Sequence, residues 1–118
     1  MKTQSSVVIL HVSDLAASVK FYKEILGFTD DFKHDHYVGL KIGEAPIHLT
    51  DMKSSRGPIG MGTVYFFCDE VDSYYAQIKA KGADLQGEPE NQFYGMRDFI
   101  VADPDGNHLA FGCPGASK

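Results

Sequence analysis

Residues 7–12, Val7-Val8-Ile9-Leu10-His11-Val12, and residues 63–68, Thr63-Val64-Tyr65-Phe66-Phe67-Cys68, decide the fold, because they open the same pattern twice, 56 positions apart. Each run is short and rich in β-branched or aromatic side chains, the composition of a strand. The first leads into Leu15, Val19 and Tyr22, and the second into Val71, Tyr75 and Ile78, apolar positions at helical spacing and again 56 apart. Gly27 and Gly82 stand where the two helices need a left-handed exit, and short alternating segments follow each. A strand, a helix and a meander make a half that cannot cover its own sheet, so the two copies are expected to pair. The groove between them is the first place to look for a site.

Local signals divide the chain into module one (about residues 5–52), a linker (53–61) and module two (about 62–113) within a single domain, 1–118. Ser13 or Asp14 is placed to cap the first helix, whose stripe of Leu15, Val19, Tyr22 and Ile25 or Leu26 faces a sheet. Residues 28–32, 37–42 and 47–51 read as an antiparallel meander. The linker holds Gly57, Pro58 and Gly60 and shows no periodicity. In module two a strand is expected near 83–87, then a loop over 88–93, then strands 96–102 and 107–112. The last two face each other across Asp103-Pro104-Asp105-Gly106, where proline presets one turn dihedral and glycine accepts a positive one.

Strand parity assigns faces, since successive side chains alternate. If Val64 and Phe66 pack under the helices, Cys68 shares their side, while Tyr65 and Phe67 point into the groove. The matching groove positions are Val7, Ile9 and His11 on the first strand, His48 on the fourth, and His108 and Ala110 on the last.

Composition excludes several classes of function. With 118 residues, 43% of them apolar, the chain buries a sizeable core without staples. A formal charge of −5 and the lack of a Lys/Arg cluster argue against nucleic acid as a partner. No stretch reaches the roughly 20 apolar residues that span a membrane, and residues 1–6 carry one lysine and no apolar run. The two cysteines, Cys68 and Cys113, have no framework spacing, which points to a reducing compartment and a cytoplasmic protein. The acids Asp30, Asp31, Asp35 and Asp51 would favour a cationic partner if they rim the groove. No Ser, Cys or Lys stands in a nucleophile setting; His34 and His36 flank Asp35 at a charged hairpin tip, and His11 and His108 suit hydrogen bonds in the groove walls or at a subunit contact.

Val12-Ser13-Asp14-Leu15 with Ser18, Phe21, Tyr22 and Leu26-Gly27-Phe28, together with residues Tyr94-Gly95-Met96-Arg97-Asp98-Phe99 and Asp103-Pro104-Asp105-Gly106-Asn107, resembles the glyoxalase / bleomycin-resistance / extradiol-dioxygenase superfamily, the vicinal oxygen chelate fold. The resemblance runs from about residue 7 to 112. It implies an α+β architecture of two βαβββ modules with antiparallel-rich mixed sheets forming a half-barrel groove, in a homodimer. Metal-dependent members carry His, Gln or Glu ligands at positions that fall here on Val7, His48, Thr63 and Ala110. Only His48 among them is a good donor, whereas a catalytic metal needs about three protein ligands, so no metal and no cofactor is expected.

Thr29-Asp30-Asp31-Phe32 with Tyr37 and Gly39, Tyr65 and Phe67 before Asp72 and Tyr75, and Tyr94-Gly95 before Arg97 look most like the bleomycin-resistance proteins. That likeness implies non-enzymatic sequestration of a flat, cationic small molecule, with Phe32, Tyr37, Tyr65, Phe67 and Tyr94 as aromatic grips and His48 and His108 beside them. The rival expectation is a metal-dependent lyase, isomerase or dioxygenase built on His48 with His11 or His108. The chain has no Trp, the larger ring that members of the family often use, and no proline before Pro46 to hinge an exchanged N-terminal arm.

Overall fold

The computed structural model describes residues 1–52 and 57–115; part of the expected linker, 53–56, lies outside the described residues. Module one runs β1 (Val8–His11), α1 (Leu15–Glu24), β2 (Thr29–His34), β3 (Tyr37–Ile42) and β4 (Ala45–Thr50), and module two runs β5 (Thr63–Phe67), α2 (Val71–Ala80), β6 (Asp84–Leu85), β7 (Glu90–Asn91), β8 (Met96–Ala102) and β9 (His108–Pro114). The helices start at 15 and 71 and end at 24 and 80, so the 56-residue offset seen in the sequence is the offset between the modules.

Each module is a mixed sheet, ordered β1-β4-β3-β2 and β5-β9-β8-β6. In both, the opening strand lies parallel to the closing one, β1 beside β4 and β5 beside β9, and every other pairing is antiparallel. A parallel pair needs a crossover, which the helix and meander supply. The two sheets are not hydrogen-bonded into a closed barrel.

Two expectations need correction at the far edge of module two. The strand expected at 83–87 is only the two residues of β6, and β7 lies inside the expected loop; both pair with β8. Gly87, at φ +123, breaks what would otherwise be one edge strand.

Asp14, not Ser13, caps α1, its carboxylate accepting from the Ala17 N–H at 3.0 Å. Ser13 instead reaches into module two, where its hydroxyl donates to Asp105 at 2.6 Å. It belongs to a wider seam. The buried Tyr22 hydroxyl of α1 donates to Asp103 at 2.9 Å, and Asn107, wholly buried, donates from its amide to Asp103 at 2.9 Å and to the His11 carbonyl at 3.1 Å. In the opposite sense the Tyr74 hydroxyl of α2 donates to the Leu26 carbonyl at the end of α1. Burial, reinforced by Asp103, raises the Tyr22 phenol far above its ordinary value, so it stays a donor.

Under the helices lies one apolar core shared by both modules, including Leu10, Val12, Ile47 and Leu49 from the first and Phe66, Val101, Leu109 and Phe111 from the second. Phe28 meets Phe66 edge-on at 5.8 Å across the seam. A core that crosses the seam makes neither half independent, as duplication of an uncovered half requires. The opposite faces of the sheets are left free of helices, and the side chains there are the candidates for a site.

Candidate functional site

On β5, Phe66 is 5% exposed and Phe67 is 81% exposed, the alternation that parity requires. Tyr65 and Phe67 share the helix-free face of module two, with ring centroids 5.1 Å apart. The Tyr65 ring lies across Gly112 of β9, and a Cβ built at Gly112 would fall 1.9 Å from the phenol oxygen. Glycine is needed there because the ring occupies the space of a side chain.

Beneath these rings sits a carboxylate. Asp98 of β8 pairs with Gly112 in register and is 6% exposed. Its Oδ2 accepts from the Tyr65 hydroxyl at 3.0 Å and from the Tyr94 hydroxyl at 2.5 Å, and its Oδ1 accepts from the Gln92 amide at 3.0 Å. Desolvation, followed by the bond to Asp98, raises the Tyr65 phenol, and the bond to Asp98 leads the rise at Tyr94. Both rings are thus held as protonated donors aimed at one carboxylate. Phe93, 99% exposed, stands edge-on to Tyr94 at 5.1 Å and extends the aromatic surface.

Module one repeats the device without the charge. Phe32 of β2 lies over Gly39 of β3, where a Cβ would meet the ring at 2.2 Å. Phe32 stacks with Tyr37 at 6.2 Å and meets His48 edge-on at 5.0 Å. The Tyr37 hydroxyl and His48 Nδ1 are 2.8 Å apart and hydrogen-bonded. Phe32, Tyr37 and His48 form one cluster, and Tyr65, Phe67 and Tyr94 another, each on its own sheet. His108, half-buried, pairs with Thr63 in register, two positions before Ala110 on the same strand.

The four positions that the family resemblance assigns to metal ligands lie at or beside the opening and closing strands of the modules. Val7 precedes β1, His48 pairs with Ile9, Thr63 with His108, and Ala110 with Tyr65. His11 packs its ring against Gly57, where a Cβ would approach it to 2.2 Å. Among the described residues no three His, Cys, Asp or Glu side chains gather as a metal ion requires. His36, at the β2–β3 tip as expected, pairs with Asp51 at 3.0 Å, and His34 turns to the Phe32 ring at 5.7 Å.

Three of the four clustered acids gather beside α1, in a cavity whose wall also includes Phe32. Asp30, Asp35 and Asp51, with Asp14, line a cavity of about 980 Å³ between α1 and the edge strand β2, and Asp31 is not in its wall. The β-bulge between Asp30 and Phe32 offsets this strand. Lys23 and Lys33 share that cavity, and Lys23 bonds Asp30 at 2.7 Å, so its acids are partly neutralised. A second cavity, of about 600 Å³, opens between the β3–β4 turn and α2, with Phe67 on its rim. Tyr37, His48, Tyr65, Tyr94 and His108 line neither cavity, because they lie on open sheet faces.

Asp98 entered the sequence reading only inside the motif of residues 94–99, and neither it nor Gln92 was expected at the site. A carboxylate in the middle of an apolar strand, Met96 to Ala102, was the available signal.

The chain belongs to the Glyoxalase/Bleomycin resistance protein/Dioxygenase superfamily, whose profile matches residues 5–111. A bleomycin resistance protein of Geobacillus stearothermophilus is 29% identical over 123 residues, spanning 90% of this chain and 93% of that protein. The fold also matches the bleomycin-binding protein of Streptomyces verticillus in complex with copper(II)-bleomycin, at a TM-score of 0.80 and 22% identity, covering 98% of this chain and 99% of that one. A lactoylglutathione lyase from Agrobacterium tumefaciens matches equally well, at a TM-score of 0.80 and 24% identity over 95% and 94% of the two chains. Binding proteins and enzymes share this fold, so function must be argued from the site.

Proposed function

We propose that the helix-free sheet faces bind a flat, cationic small molecule of the bleomycin type and sequester it unaltered. The observation that carries this reading is the module-two cluster: two tyrosines and an exposed phenylalanine arranged over one buried carboxylate. Rings gain about 0.5 to 1.5 kcal/mol per stacked pair beyond area burial, and a cation over their faces gains a comparable amount. A carboxylate under those rings favours a cation over a neutral ligand. Kinship with bleomycin resistance proteins supports the ligand class. In this reading Phe32, Tyr37 and His48 supply the second aromatic wall, and His108 borders the first.

The proposed assembly is a homodimer. Val7, Ile9 and Phe67 are exposed on the helix-free faces and Met61 nearby in the chain is exposed as well, apolar surface that two-fold pairing would cover. Calorimetric titration with bleomycin should give micromolar or tighter binding, and light scattering at micromolar concentration should give twice the 13.0 kDa chain mass. Silence with bleomycin and related cationic aromatics would overturn the ligand class. A stoichiometric divalent metal in untagged protein would favour a metal-dependent enzyme instead.

A further inference from the structure

We propose that Cys68 and Cys113 form a cross-strand dithiol that hydroperoxides close to a disulfide. The two lie 45 residues apart with no motif spacing, and the parallel ladder brings them together. Strands β5 and β9 pair Phe66 with Phe111 and Phe67 with Gly112. Beyond the last of these pairs the Cys68 N–H donates to the Gly112 carbonyl at 2.9 Å, the bond that a parallel ladder makes when residue 68 lies beside residue 113. Side chains in register on neighbouring parallel strands share a face. The preceding pair on this face, Phe66 and Phe111, stacks at 4.9 Å, and Cys68 and Cys113 come next along it. Neighbouring strands lie about 4.8 Å apart, inside the Cα separation of about 4.4 to 6.8 Å that a disulfide bridges.

Access and order of reaction follow from the surroundings. Both cysteines are free and half-buried, and Cys68 lines the 600 Å³ cavity with Phe66, Tyr74 and Phe111. On its other side Cys113 pairs in register with Arg97, whose guanidinium is itself held by Asp72 through two hydrogen bonds at 2.8 and 2.9 Å. Burial, then Cys113 and Asp69, push the Cys68 thiol up, which makes Cys68 the resolving partner. Cys113 takes one oxygen from the hydroperoxide, giving a sulfenic acid and releasing water or alcohol. Cys68 sulfur then attacks the Cys113 sulfur; the S–O bond breaks, an S–S bond forms, and the hydroxyl leaves as water with the Cys68 proton. The two thiols have lost two electrons, which the peroxide bond accepts.

The proposal is tested on the full chain with stoichiometric hydrogen peroxide, followed by alkylation and intact-mass and peptide analysis. The expected product is a chain lighter by two hydrogens and not covalently joined to another, with both thiols lost together, a Cys68–Cys113 cross-linked peptide, and full recovery on adding dithiothreitol. In Cys68→Ser the resolving thiol is gone, and a dimedone-trapped sulfenic acid at Cys113 is expected. Independent oxidation of the wild-type thiols to sulfinic acids, or disulfides only between chains, would overturn the proposal. Since the decisive measurement uses the unaltered chain, it does not depend on a variant folding.

Discussion

The helix-free faces of the two modules use the same construction for different ends. In each, an aromatic ring lies across a glycine of the neighbouring strand, Phe32 over Gly39 and Tyr65 over Gly112. In module one the phenol of Tyr37 is satisfied by an imidazole, so the cluster of Phe32, Tyr37 and His48 closes upon itself. In module two the phenols of Tyr65 and Tyr94 converge on the Asp98 carboxylate while Phe67 and Phe93 stand free of cover. The two modules thus present similar aromatic platforms, and a carboxylate lies within the platform of module two alone.

The comparison breaks first at Tyr65. Replacing it with Ala removes stacking and buried area together, about 2 to 3 kcal/mol or roughly a hundredfold in affinity for an aromatic cation. Unfolding midpoints must be measured alongside, because Asp98 loses one of its three donors. Unchanged affinity in a folded Tyr65→Ala protein would shift the site to module one. Next comes Gly112→Ala, whose new methyl falls on the Tyr65 hydroxyl and must expel it from the Asp98 bond; titration should show a loss on the order of 30-fold. Gly39→Ala displaces only the Phe32 ring, and its loss should be smaller. Equal losses at the two glycines would erase the distinction between the platforms.

Asp98→Asn sharpens the contrast between charge and shape. The amide keeps an acceptor for the phenols and removes the charge. Affinity for a cationic aromatic should fall about tenfold, near 1.4 kcal/mol, while a neutral aromatic of the same shape should change less than about twofold. Paired titrations of the two ligands measure the discrimination. Equal losses for both would reduce Asp98 to a structural anchor for Tyr65 and Tyr94.

Much of this molecule was legible from periodicity. The 56-residue offset, both helices, the strand faces and the Asp103–Gly106 turn all rest on local rules that neighbours in sequence obey. The site was legible only in part. Parity placed Tyr65 and Phe67 on the helix-free face but said nothing of what the Tyr65 hydroxyl meets, because its partner lies 33 residues away across a register that sequence does not state. The Tyr65 and Tyr94 hydroxyls both find their partner within the chain, on Asp98. The acids of residues 30–51 misled for the reverse reason, since three of them line a cavity beside α1 in which Phe32 is the one expected aromatic grip. The cysteines show the same blindness, as spacing along the chain carries no record of a parallel ladder.

The smallest effect is expected at His48, and it decides between binding and metal chemistry. Its Nδ1 is engaged by the Tyr37 hydroxyl and its ring packs edge-on against Phe32, so its work in this reading is to steady the neutral platform. His48→Ala removes one hydrogen bond, worth about 0.5 to 1.5 kcal/mol. Most of that should appear as stability, because the pair forms with or without ligand, and affinity should fall less than about threefold. A metal-centred mechanism demands the opposite order. His48 is the one good donor among the four family ligand positions, so its loss would then exceed that of Tyr65→Ala, and a chelator would reproduce it in the unaltered protein. Titrating both variants with and without chelator separates the cases, and a chelator-sensitive wild type with a dominant His48 effect would favour the metal-dependent enzyme over the proposed binding protein.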